Sequence, residues 1–167
     1  VVAIIGILAA IAIPAFIGYM RRAKTSEAGS NLKNLFQGAA GYYARENWAS
    51  RGVVRGTTVA ASACNVGPAV TMNTPGAGKT QVDFGAEDAA FRDVGFSIAD
   101  PIYFQYAIAA GASACGHMAS EDEIYSFRAF GNLDGDAALS TFEIAAGSDQ
   151  QNALMRTPGI YVENELE

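Results

Sequence analysis

Residues 1–28 read VVAIIGILAAIAIPAFIGYMRRAKTSEA, and residues 1–17 of this stretch carry no charge at all. An uncharged apolar run of this length approaches the roughly 20 residues that an α-helix needs to cross a bilayer. A cleaved secretory signal fits poorly, because its apolar core would be shorter and would end at a small-residue cleavage site. Here the apolar run flows into further helix-forming sequence. It is therefore read as an anchor kept in the mature chain, with further apolar residues expected upstream of Val1. Two helix breakers lie inside it. Gly6 weakens a helix by entropy, and Pro14 removes an amide donor and crowds the carbonyl four residues back. Residues 6–14 are thus where this helix would kink or locally melt, and the residues alone do not choose between the two.

Beyond Arg21 the pattern becomes amphipathic. Ala28, Leu32, Leu35, Phe36, Ala39 and Tyr43 recur at steps of three and four, which marks one helical face. One helix over residues 1–47 would be about 70 Å long at 1.5 Å per residue. Gly38 and Gly41 lower helix propensity but permit close packing on a sheet. Residues 49–85 are rich in Gly, Ser, Thr, Ala, Asn and Pro, and read as a long connecting loop with room for a short strand. Strand patterns follow at 102–110, where Ile102, Phe104, Tyr106 and Ile108 alternate onto one face, then at 124–130 and 140–146, with a weaker one at 160–163. Polar turns between them predict antiparallel pairing. The fold class is therefore α+β, a long N-terminal spine helix packed on an antiparallel β-sheet of about four strands. Residues 1–48 form the helix, and residues 49–167 form the globular head.

The charge is unevenly distributed along the chain. Residues 1–82 hold 8 basic and 2 acidic side chains, whereas residues 83–167 hold 3 basic and 15 acidic. The net charge of −6 therefore joins a basic front half to an acidic back half. Such asymmetry suits a subunit that packs against copies of itself. No basic patch interleaved with aromatics appears in the acidic half, so no nucleic-acid binding is expected. Cys64 and Cys115 are the two cysteines. An even pair in an exported chain predicts one disulfide, and in the cytosol two free thiols. The apolar N-terminus argues for export, so a Cys64–Cys115 bridge is expected. That bridge would also remove a nucleophilic pairing of Cys115 with His117, the single histidine. Glu121, Asp122 and Glu123 read as a solvated acidic turn, and no catalytic constellation emerges.

One motif offers a metal set. Residues 132–143, NLDGDAALSTFE, match the spacing of an EF-hand calcium loop in part. Asn132, Asp134, Asp136, the Ala138 carbonyl and Glu143 are the candidate calcium ligands, and nothing else in the sequence calls for a cofactor. Asn in place of the first Asp, Ala137 in place of the turn glycine, and strand-like flanks all depart from the pattern. The same composition also builds a hairpin turn unaided. Residues 74–80, TPGAGKT, evoke a phosphate-binding loop but lack its first glycine, with Asn73 in that place, and read as a flexible surface turn. Phe16, Tyr19, Phe36, Tyr42, Tyr43 and Trp48 lie along the helix at spacings that packing alone requires.

Residues 1–28, with Gly6, Pro14, Tyr19, Ala23 and the Ser26-Glu27-Ala28 run, resemble the N-terminal signature of type IV pilins. In that family an N-methylated Phe and a nearby glutamate precede this apolar stretch; both would lie upstream of Val1. Residues 91–106, FRDVGFSIADPIYFQY, also resemble the segment that opens the sheet in many pilins. The resemblance implies a pilin fold and a structural, non-enzymatic subunit that polymerises into an extracellular filament at the bacterial cell surface. The filament core would be formed by Val1, Ile4, Ile5, Gly6, Leu8, Ile11, Ile13, Pro14 and Phe16, and residues 6–14 would lose helicity on packing. The implied partners are other copies of the chain, the inner membrane that holds a single-pass precursor, a leader peptidase and an assembly ATPase. Arg21, Arg22 and Lys24 follow the span, which by the positive-inside rule would place that side in the cytoplasm. The family topology is the opposite, and the resemblance therefore implies a head on the outer side of the membrane. The alternatives are a pseudopilin or minor pilin of a secretion system, and a non-polymerising membrane-anchored binding domain.

Overall fold

The computed structural model describes residues 2–44, 66–110, 123–136, 138–149 and 153–166. Helix α1 (Val2–Tyr43) is continuous through Pro14, and its 42 residues span about 63 Å at the standard rise. Its first half is apolar on every side and touches little. Its second half buries Thr25, Ala28, Leu32, Leu35, Ala39 and Tyr43 against the head. Phe36, expected on that face, lies at its margin and is partly buried.

The sheet has six strands rather than about four: β1 (Ala69–Val70), β2 (Gln105–Ala110), β3 (Glu123–Gly131), β4 (Ser140–Ser148), β5 (Leu154–Arg156) and β6 (Tyr161–Glu163). All pairings are antiparallel, in the order β1-β2-β3-β4, with both β5 and β6 on the outer side of β4. The α+β class and the pilin-like layering of helix on sheet are as expected. The additional strands, β1 and β5, are two and three residues long, too short for alternation to mark them. They are strands because β2 and β4 offer them hydrogen bonds. The predicted strand at 102–110 begins at Gln105, because Ile102 pairs instead with Thr80 in an isolated bridge. The outer edge is broken: Pro158 and Gly159 interrupt the run between β5 and β6, which blunts an edge that could otherwise pair with another sheet.

Ile102, Phe104, Tyr106 and Ile108 are all buried, together with Tyr125, Phe127, Ala129, Phe142 and Ile144 on the facing surfaces of β3 and β4. A short helix, α2 (Ala89–Asp93), closes one end of this core. Asp88 caps it by accepting from the Ala90 amide at 2.9 Å. Gly95, at φ +68°, turns the chain out of it so that the Phe96 amide reaches the Phe91 carbonyl. Phe84, Phe91 and Phe96 then pack as a cluster with ring centroids 5.4–6.0 Å apart, and Phe96 meets Tyr106 edge-to-face. Gly38 serves close packing, but against Val94 beside α2 rather than against the sheet. Gly41 faces open space among the described residues.

Candidate functional site: the exposed apolar helix

Among the described residues the head buries a continuous core, yet one end of α1 is bare. Val2, Ile4, Ile5, Leu8, Ile11, Ile13 and Phe16 are each more than half exposed, from 59% at Ile13 to 84% at Val2. No residue in the most apolar 18-residue window of α1 is buried within the chain, and the helix is long and apolar enough to cross a membrane. Soluble monomers seldom leave an apolar surface this large uncovered, so this one requires a membrane or a partner. Gly6 and Pro14 lie within it, exposed and helical. Val1 lies outside the described residues.

The boundary between bare and covered helix is held by polar contacts. Arg21 points back at the head, where its guanidinium donates to the Leu166 carbonyl at 3.1 Å and pairs with Asp134 at 3.4 Å. Lys24 donates to the Ala77 carbonyl at 3.3 Å and sits 4.5 Å above the Tyr103 ring. Lys79 approaches the same ring and pairs with Glu27 at 3.7 Å. The other Glu27 oxygen accepts from the Tyr103 amide at 2.9 Å. One turn further, the Asn31 amide donates to the Tyr106 hydroxyl at 2.7 Å. Burial raises the Tyr106 hydroxyl well above the ordinary tyrosine range and pushes Tyr125 up to about 12. The Tyr125 hydroxyl accepts from the Val66 amide at 2.9 Å.

The sequence marked Arg21 and Lys24 only as charges flanking the span and Glu27 only within the Ser26-Glu27-Ala28 run, not as a junction with the head, although one signal was available. Glu27 is the single acid among residues 1–44, within an otherwise basic stretch. Lys79, in the segment that evokes a phosphate-binding loop, is engaged with Glu27 and Tyr103.

The candidate calcium ligands divide between two places. Asn132, Asp134 and Asp136 sit in the β3–β4 turn, and each accepts from a backbone amide of that turn, those of Gly135, Asp136 and Ala138. Glu143 stands within β4, where it pairs with Arg128 at 3.0 Å and accepts from the Ser126 hydroxyl. Among the described residues no group of three or more His, Cys, Asp or Glu side chains is placed to hold a metal ion. Cys64, Cys115 and His117 lie outside the described residues, as do Glu121 and Asp122 and the side chain of Glu123.

The chain is similar to the type IV major pilin protein PilA of Myxococcus xanthus (strain DK1622), 42% identical over 91 residues. The match covers 47% of this chain and 41% of that relative, so the chain spans well under two thirds of its length. No family model matches the chain, and no solved structure matches it significantly. The N-terminal apolar helix fits a pilin.

Proposed function

We propose that this chain is a type IV pilin: a non-enzymatic subunit that polymerises into an extracellular filament through its N-terminal helix. The observation that carries this reading is the bare apolar half of α1 attached to a head that buries a core of its own among the described residues. Before assembly the helix lies in the inner membrane as a single span. On assembly, apolar side chains such as Ile4, Leu8, Ile11 and Phe16 exchange lipid for the same side chains of neighbouring copies. Without a hydrophobic gradient between lipid and helix, packing of close-fitting side chains drives that exchange. Gly6 and Pro14 place the weakest backbone in the segment that must fit several neighbours, which supports local loss of helicity there. A leader peptidase and an assembly ATPase would act in trans. The same geometry would serve a pseudopilin or minor pilin.

The test is electron microscopy of material sheared from cells that express the intact chain, with mass spectrometry to identify the subunit. Thin filaments built of this chain are expected. A chain confined to the membrane fraction, with no filaments, would favour a membrane-anchored binding domain instead.

A further inference from the structure

The second half of α1 has two flanks that the head uses differently. Lys24, Glu27, Asn31 and Gly38 stack at helical steps and meet Ala77, Tyr103, Tyr106 and Val94, on the β1–β2 side of the sheet. Gly29 and Phe36 meet Ile160 and Arg156, on the β5–β6 side. Arg22 lies two turns before Gly29 and Lys33 about one turn after it, so both project along this second flank. Both are exposed, and neither has an ion-pair partner among the described residues. Arg156, exposed on β5, adds a third cation to the same side. Beside them Met155 and Tyr161 are exposed. Glu163 and Glu165 also lie on this side, at the foot of the head near the level of Arg22, and neither forms an ion pair with it.

The opposite side of the head exposes a surplus of acid, because its cations Lys24 and Lys79 are taken up by the Ala77 carbonyl, the Tyr103 ring and Glu27. Residues 81–100 cover the β1–β2 end of the core and expose Asp83, Asp88, Asp93 and Asp100. Arg92 is the one cation in that segment, and it donates to the Gly85 carbonyl. The side chains of Asp93 and Asp100 make no hydrogen bond or ion pair among the described residues. Cations without ion-pair partners on one edge and acids without them on the other therefore stand at opposite ends of one sheet.

We infer that these two edges dock on one another between neighbouring copies, Arg22 and Lys33 of one subunit facing Asp93 and Asp100 of the next. The inference rests on the filament reading and adds to it the lateral contact between heads. Because the two edges differ, the contact is head-to-tail: it leaves a free edge at each end and repeats without closing into a two-fold pair. Complementary charge at such a contact fixes register and suppresses wrong pairings more than it adds affinity. The broken β5–β6 edge offers only two three-residue strands for extending the sheet, which favours side-chain charge as the means of recognition.

The test compares filament yield from the intact chain with that from R22E/K33E, from D93R/D100R, and from the fourfold combination. All four positions are exposed, so the head should fold in each, which circular dichroism of the detergent-solubilised subunit checks. Each double variant is expected to lose roughly tenfold or more of its filaments through like-charge contact. The fourfold variant should recover most of them. Wild-type yield from either double variant, or a fourfold variant no better than the doubles, overturns the docking while the filament reading stands. A wild-type chain that forms no filaments overturns both.

Discussion

Replacing Gly38 and Gly41 with alanine, one at a time, should move stability in opposite directions although they lie three residues apart on one helix. Each substitution gains up to about 1 kcal/mol of helix propensity. At Gly38 the added methyl would overlap the Val94 carbonyl oxygen and come within 3.1 Å of its carbon. Those are backbone atoms beside α2, held by the Val94 and Gly95 amides on the Ala90 and Arg92 carbonyls, so no rotamer change relieves the overlap. Overpacking of this kind costs typically 1–3 kcal/mol, and a backbone obstacle puts it at about 3. The net effect of G38A is a loss of about 2 kcal/mol. G41A meets nothing within 4 Å among the described residues and should gain about 0.5 kcal/mol near the end of α1. For a chain of this size the melting temperature should fall by about 4–8 °C in G38A and rise by about 1–2 °C in G41A. Thermal unfolding of the full chain in detergent micelles, followed by near-ultraviolet circular dichroism, measures both. A G38A variant as stable as G41A would refute the close approach of α1 to the α2 corner.

Alkaline titration should unfold the head through its buried tyrosines. Tyr125 ionises near 12 in the folded chain against 10.0 for an ordinary tyrosine, so its neutral form contributes stability that is complete below pH 10 and lost as pH rises toward 12. Y125F should keep more of its stability across that window, and equal alkaline loss in both proteins would count against the burial argument. Ile11→Asp places a charge in the bare half of α1 and should cost roughly 3 kcal/mol of membrane insertion, read as escape of the chain from the membrane fraction. Retention equal to wild type would show that α1 does not span. Calcium at Asn132, Asp134 and Asp136 would have to recruit Glu143 away from Arg128 and Ser126. Millimolar calcium or chelator is therefore expected to leave the melting temperature unchanged, and a rise of more than about 2 °C would establish binding.

The spine helix was legible because its signal is local. A run of uncharged residues, then apolar residues at steps of three and four, states both the element and the face it buries. The strands at 105–110, 123–131 and 140–148 were legible for the same reason, their alternation outlasting several residues. β5 was not, and β1 only as room for a short strand within residues 49–85, since two or three residues carry no period and exist as strands only where a neighbour offers a ladder. The three cations after the apolar run illustrate a different failure. Read in sequence, Arg21, Arg22 and Lys24 count equally toward membrane topology, whereas in space Arg21 and Lys24 bind the head and Arg22 alone is left over. The turn at 132–136 shows the same limit. Spacing grouped Glu143 with Asn132, Asp134 and Asp136, but the pairing of β3 with β4 sets Glu143 opposite Arg128.

The sequence by itself determined that this chain carries an apolar helix too long for its own core to cover, because hydrophobic periodicity is written within consecutive residues. Only the tertiary structure decided which charges are consumed inside the head and which remain at its two edges. Those pairings join residues as far apart as Arg21 and Leu166, and their energy depends on distance in space, to which spacing along the chain is no guide.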